Sequence, residues 1–185
     1  MTFPKDFYMK FAAWRIVFPL LLTLLLGACS SIHQLESSEP IARDAGWAMA
    51  SLSNHSETPL AGERAAGTLL TLLQQRGLSP LHEIPRSGPV NPLALDNDAD
   101  LQAALSRAQK QGAVYVVTGA IDEWHYKAGL DGEPAVAVSL QVRNANTGIV
   151  LWSASGARSG WGFSTLNGVG AELLSDLVDD LPLTP

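Results

Sequence analysis

Pro134-Ala135-Val136-Ala137-Val138-Ser139-Leu140-Gln141-Val142 sets Val136, Val138, Leu140 and Val142 at every second position. Successive side chains of an extended chain leave on opposite faces, so this stretch reads as a strand with one apolar face. It is the clearest periodic signal in the chain, and its flanks decide the fold. Upstream, Ala128 to Pro134 holds two glycines and a proline, which reverse the chain. Before that, Ala113 to Tyr126 supplies Tyr115, Val116, Val117 and Ile121, the aromatic and β-branched types favoured in strands. Downstream, Asn144 to Gly148 makes a second turn and Ile149 to Ala157 a third strand. Three consecutive strands joined by short turns form a β-meander.

Further outward the period changes. After the meander, Leu166, Gly170, Leu173, Leu174, Leu177 and Leu181 lie on one face of a helix. Before it, Asp98 or Asp100 caps a helix whose stripe is Leu101, Ala104, Leu105 and Ala108, closed by Gly112. Pro85 to Asn97, with three prolines, is expected as a long surface loop. Leu78 to Ile84 is expected as a short strand, and Pro59 opens an earlier helix whose apolar face holds Leu60, Leu69, Leu70 and Leu73 and which Gly77 ends. Gly46 to Asn54 alternates as a first strand. The predicted order is βαβαβββα: one α/β (α+β) domain over residues 46–185, a single mixed sheet with helices on at least one face.

The amino-terminal segment has a different character. Lys5, Lys10 and Arg15 precede an apolar run of 11 residues, Ile16 to Leu26, and small residues then lead to the single cysteine. This is the order of a secretory signal peptide, and the run is shorter than the ~18 residues that a membrane-spanning helix needs. Leu26-Gly27-Ala28-Cys29 resembles the lipobox of bacterial lipoproteins. The resemblance implies a signal peptide over residues 1–28, cleavage before Cys29 and acylation of that residue. Stable anchoring then takes more than one acyl chain. Ser30, where an Asp would resemble an inner-membrane retention signal, implies the outer membrane. Residues 29–45, polar and without a sustained period, are expected as the lipidated end and a tether.

Removing residues 1–28 takes three of the twelve basic and one of the eighteen acidic side chains. Nine basic against seventeen acidic side chains leave a net charge of −8. A nucleic-acid footprint is basic and is excluded by this balance; a cationic partner would be attracted. With no second cysteine, no intrachain disulfide can form, and stability must come from a core.

Chemistry-bearing motifs are absent from the sequence: no G-x-S-x-G elbow, no H-E-x-x-H helix, no phosphate loop and no dinucleotide fingerprint. Neither a metal nor a cofactor is expected, since His33, His55, His82 and His125 have no spacing that sets two on one face. Asp122 and Glu123, adjacent on a strand, should point to opposite faces. A glycan hydrolase could still pair Asp122 with Asp131 or Glu133 across the hairpin; a solvated acidic edge is the plainer reading. Trp124 and Tyr126 share one face, with His125 on the other, and Trp152 reads as core. Trp161 and Phe163 sit in Ser159-Gly160-Trp161-Gly162-Phe163 between strand and helix, where two readings stand. Exposed rings there suit the headgroup layer of a membrane, or the rings cap the core.

Two stretches, EWHYKAGLDGEPAVAVSLQV from Glu123 to Val142 and VLWSASGARSGW from Val150 to Trp161, resemble the PelC family, outer-membrane lipoproteins of the Pel exopolysaccharide secretion machinery. The first strand, the helix after Pro59 and the lipobox fit the same family. The resemblance implies a non-enzymatic component that forms a homo-oligomeric ring beside the β-barrel porin PelB. The acidic surface of that ring would guide a cationic amino-sugar polymer to the pore. On this reading Asp122, Asp131 and Glu133 are the acidic candidates for the lumen, Trp161 and Phe163 the candidates for the membrane face, and Cys29 the lipid anchor. Related domains occur in other envelope lipoproteins, so an accessory factor of another secretion system, or a structural tether, stays open beside it.

Overall fold

A computed structural model of the chain describes residues 30–36, 40–86, 98–129 and 132–185. The expected signal peptide, Cys29 and Asp131 lie outside the described residues, as does most of the Pro85 to Asn97 loop. Among the described residues nine strands and three helices follow one another as β1 (Ser30–Glu36), β2 (Ile41–Ala42), β3 (Trp47–Ala50), β4 (Ser53–Asn54), α1 (Ala61–Gln75), β5 (Leu81–Ile84), α2 (Asp98–Lys110), β6 (Tyr115–Tyr126), β7 (Pro134–Asn144), β8 (Val150–Ser159), α3 (Leu166–Asp179) and β9 (Leu183–Thr184).

The main sheet has the order β1-β8-β7-β6-β3-β5, with β4 also paired to β6, and β2 pairs separately with β9. Strands β5, β3 and β6 run parallel, while β6, β7, β8 and β1 are antiparallel. The expected βαβαβββα order is therefore present within a mixed α/β fold. It is extended by β1, β2 and β9, and the first strand is split into β3 and β4.

The alternation that identified β7 settles the layers. Val136, Val138, Leu140 and Val142 are all buried, and with Val117, Ile121, Trp124 and Trp152 they face Leu69 and Leu73 of α1 and Leu173, Leu174 and Leu177 of α3. Each such side chain removed from water contributes about 1.5–3 kcal/mol, so this face carries most of the stability. On the other face α2 packs Ala104, Leu105 and Ala108 against Ala48, Ala50, Ile84 and Val116. Gly77 and Gly112, just past α1 and α2, have φ of 82° and 80°, the left-handed conformation that ends helices at least cost with glycine. Thr165 opens α3, its Oγ1 accepting from the Gly168 N–H at 3.1 Å.

Two sequence expectations are corrected. Ser30–Glu36, assigned to a tether, pairs along its whole length with β8. Its inward positions include a single apolar side chain, Ile32, packed against the core, so no period was visible. The strand forms because β8 offers an unpaired backbone edge. Leu60, expected on the apolar face of α1, is instead 60% exposed and stands in the left-handed region with φ 60°, one residue ahead of the helix.

Helix α3 seats against β6 where Gly170 meets Trp124. A Cβ on Gly170 would overlap the Cη2 and Cζ3 atoms of the buried Trp124 ring, and an indole wedged between sheet and helix has little room to move. Gly170→Ala is expected to cost about 1–3 kcal/mol through overpacking, read as a lower midpoint in denaturant or thermal unfolding. An unchanged midpoint would show that α3 can shift without loss.

Candidate functional site

The end of the sheet where β6 and β8 finish gathers most of the predicted residues. Pairing carries Tyr126 opposite Pro134, Ala135 opposite Ser159 and Ser30 opposite Arg158. The first described residue, the one bonded to Cys29, therefore lies beside the end of β8. The chain then turns through Gly160 to Ser164, with the Ser164 N–H donating to the Trp161 carbonyl at 2.7 Å, before entering α3. In that turn Trp161 is 66% exposed and Phe163 fully so. Tyr126 is also exposed, and its hydroxyl accepts from the Leu166 N–H at 3.1 Å, at the start of α3. Leu60 lies toward the same end, since Thr58 in its loop donates through its hydroxyl to the Trp124 carbonyl. Of the exposed large apolar side chains, Leu60, Tyr126, Trp161 and Phe163 thus share one end of the domain.

The β8–α3 corner behind the turn is held by charge. Arg158 reaches Asp176 and, at 3.4 Å, Glu172, both on α3. The guanidinium is largely screened from solvent while the carboxylates are more open. Glu172 and Asp176 are four residues apart on one helix face, so a single cation serves both.

The acidic candidates are placed as follows. A β-bulge interrupts the β6–β7 register between Ile121 and Glu123. Ile121 stands opposite Val138, Glu123 opposite Ala137 and Trp124 opposite Val136. One extra residue changes the side on which the chain alternates. Ile121 and Trp124 both enter the core, and Glu123 joins the face of Ala137. Asp122 is directed to that same outer face, where it accepts from Ser139 Oγ at 2.9 Å and lies 3.2 Å from His55 Nδ1. The expectation that Asp122 and Glu123 oppose each other is overturned: the bulge turns both carboxylates outward. Beside them, His125 Nε2 lies 3.6 Å from Glu123.

Glu133 is at the hairpin and pairs with Lys127 Nζ at 3.7 Å, and the same ammonium donates to Ser159 Oγ at 2.8 Å. Asp122 and Glu133 are thus drawn to different partners. Sequence reasoning missed Glu123, His55 and Ser139 as members of this outer cluster. One signal was available: Val117 and Ile121 are apolar at odd positions and Trp124 at an even one, a change of parity that a bulge produces. Among the described residues no group of three or more His, Cys, Asp or Glu is arranged to hold a metal ion, and none of their helices is long and apolar enough to cross a membrane.

Neither a family model nor a curated protein sequence matches the chain. Solved structures do. A PelC dodecamer structure from Paraburkholderia phytofirmans matches with a TM-score of 0.70 and 31% identity, over 85% of this chain and 100% of that one. A second PelC dodecamer structure from the same organism matches with the same TM-score and identity, over 84% and 100%. The lipoprotein GNA1162 from Neisseria meningitidis shares the fold at a TM-score of 0.53 and 16% identity, over 74% of this chain and 97% of that one.

Because His55, Asp122 and Ser139 meet at the surface, with about half of each ionisable side chain exposed, the cluster contributes little to folding. Asp122→Asn is expected to change stability by less than about 1 kcal/mol in denaturant titration. A larger loss would mean that the bulge itself depends on the carboxylate.

Proposed function

Since the chain belongs to the PelC family, we propose that it is a non-enzymatic lipoprotein of a Pel exopolysaccharide export system. In this reading it is cut before Cys29, acylated there, and held at the periplasmic face of the outer membrane as a homo-oligomeric ring. The observation that carries the reading is the match over the whole length of a PelC dodecamer subunit. Such a ring would stand beside the porin PelB and guide a cationic amino-sugar polymer toward it.

The geometry supports an orientation. Ser30, bonded to the acylated residue, is fixed in the sheet next to Arg158, so the anchor leaves the domain without slack. Trp161 and Phe163 project from the turn that follows. Trp favours the headgroup layer and Phe the acyl boundary, so anchor and rings engage one membrane surface together. Leu60 and Tyr126 extend that edge.

Electrostatics supports the polymer path. A charge of −8 per mature chain, repeated around a closed ring, sums to a strong negative potential in the enclosed space. Asp122, Glu123 and Glu133 supply carboxylates toward the β6–β7 hairpin, so a cationic glycan would meet them on approach to the porin; Asp131, outside the described residues, is retained as a candidate from the sequence. Lys127 offsets part of the charge of Glu133, which leaves Asp122 and Glu123 as the stronger contributors of these three.

Neutralising the triple set Asp122→Asn, Asp131→Asn and Glu133→Gln should lower polymer export while the far-ultraviolet spectrum and unfolding midpoint stay unchanged; normal export would remove these residues from the path. Binding of cationic amino-sugar oligomers to the purified lipoprotein should also weaken as salt rises through about 0.1–0.5 M.

The membrane face has its own test. Trp47, Trp124 and Trp152 are buried, so in vesicles with brominated acyl chains Trp161 should carry the quenching of tryptophan fluorescence. Trp161→Phe should abolish that quenching, and quenching unaffected by the substitution would place another part of the chain at the lipid.

A further inference from the structure

The bulge at Asp122 brings two carboxylates to the outer face of β6, and each has an imidazole beside it. Strand β4 runs parallel to β6 with Asn54 opposite Ile121, and the next residue continues the pairing, the His55 N–H donating to the Ile121 carbonyl at 2.8 Å. That register sets the His55 ring next to Asp122, Nδ1 lying 3.2 Å from Oδ1, while Ser139 Oγ donates to Oδ2 at 2.9 Å. Past the bulge, Glu123 and His125 are two residues apart on one strand and so share a face, with His125 Nε2 3.6 Å from Glu123. The result is two matched pairs, each of one acid and one imidazole. All four side chains are between 40% and 49% exposed, open both to protons from solvent and to a ligand.

We infer that His55 and His125 make the carboxylates of the outer β6 face a pH-dependent site for polycations, open when the rings are neutral and self-neutralised when they are protonated. The inference rests on the polymer path proposed above and adds its regulation. Imidazole is the side chain whose charge ordinarily changes between about pH 5 and 8. With both rings neutral the two pairs together carry two negative charges, and with both protonated they carry none. The imidazolium then stands where a cation of the ligand would stand. Proton and ligand compete for the same two carboxylates, so binding of one must expel the other.

Among the described residues the cations nearest this face are engaged elsewhere. Lys127 pairs with Glu133, Arg158 turns to Glu172 and Asp176 of α3, and Arg143, at the far end of β7, donates to the Gly148 carbonyl and to Gln141. Glu57 in the loop after His55, and Glu63 and Arg64 at the start of α1, belong to residue types that keep their charge across the range in which imidazole changes. The remaining histidines are remote. His33 on β1 stands three strand spacings from β6, about 14 Å, beyond the ~8 Å over which exposed charges act at physiological salt. His82 on β5 is level with Val116, six residues along β6 from Asp122 and hence roughly 20 Å away.

The test titrates the full-length lipoprotein, in non-ionic detergent at low salt, with oligo-arginine in a calorimeter. Guanidinium keeps its charge throughout the range, so any pH dependence belongs to the protein, whereas an amino sugar carries amines that titrate on their own account. Wild type should bind at least about threefold more tightly at pH 8 than at pH 5.5. At pH 6.5 binding should release protons, seen as a heat that varies with the ionisation enthalpy of the buffer. His55→Gln combined with His125→Gln should bind at both pH values as wild type does at pH 8, and should release no protons. Should that variant unfold earlier than wild type, Asp122→Asn combined with Glu123→Gln decides: it should bind weakly and equally at both pH values. Wild-type binding that is the same at pH 8 and pH 5.5, or a pH dependence that survives in either double variant, overturns the inference and leaves the polymer path standing. Wild type that binds no oligo-arginine at any pH overturns the polymer path, and this inference with it.

Discussion

The indole of Trp124 against Gly170 fixes where α3 can lie on the sheet, and much of the molecule follows from that seat. With α3 held there, Arg158 of β8 stands under Glu172 and Asp176, and the Tyr126 hydroxyl meets the first amide of the helix. The chain must pass from the end of β8 to Thr165 in a tight turn. Gly160 sits so close to Val169 and Pro134 that a Cβ there would overlap both, and the rings of Trp161 and Phe163 that follow it project into solvent. The bulge belongs to the same arrangement, since without the extra residue at Asp122 the alternation that buries Ile121 would turn Trp124 to the outside.

Much of this was legible in the sequence, and the parts that were not share a cause. Val136, Val138, Leu140 and Val142 are all buried, as are Ala104, Leu105 and Ala108 of α2 with Leu101 partly so, so the period of each element survives in the amino acids. Strand β1 left no such trace. Only Ile32 among its inward positions is apolar, and the strand exists because the edge of β8 needs a partner, a property of the assembled sheet. The bulge was visible only as a change of parity between Ile121 and Trp124, easily read as two ordinary runs. Leu60 kept the spacing of a core residue while the local turn carried it to the surface. Likewise, residue types alone could not bring His55 and Ser139 to Asp122: they stand 67 and 17 residues away along the chain, and the fold alone supplies that proximity.

Strand β1 also changes the mechanics of the proposed anchor. A flexible tether of some fifteen residues would let a domain roam ~20 Å from its lipid, and orientation would then be set by surface chemistry alone. Pairing from Ser30 onward removes that freedom before the membrane is met. The exposed rings need only tune the tilt of a domain already held close, which lowers the affinity each ring must supply. In a ring the same constraint acts on every subunit at once, so small individual contributions add across the assembly.

Acidity and assembly pull against each other in this reading, and the distribution of charge is what reconciles them. A potential strong enough to draw a polycation also repels identical subunits, and screening at physiological salt limits that repulsion to about 8 Å. Carboxylates farther apart than this across a subunit contact cost little, whereas the same carboxylates around a narrow enclosed space act on a polymer that passes within their reach. Between β7 and β8 the paired positions Ala137 and Ala157, and Ser139 and Ser155, keep one stretch of the outer sheet face free of carboxylates. The alternation of β7 and β8 makes this possible, because valine on one side and alanine or serine on the other let a single strand build the core and a neutral outer face together.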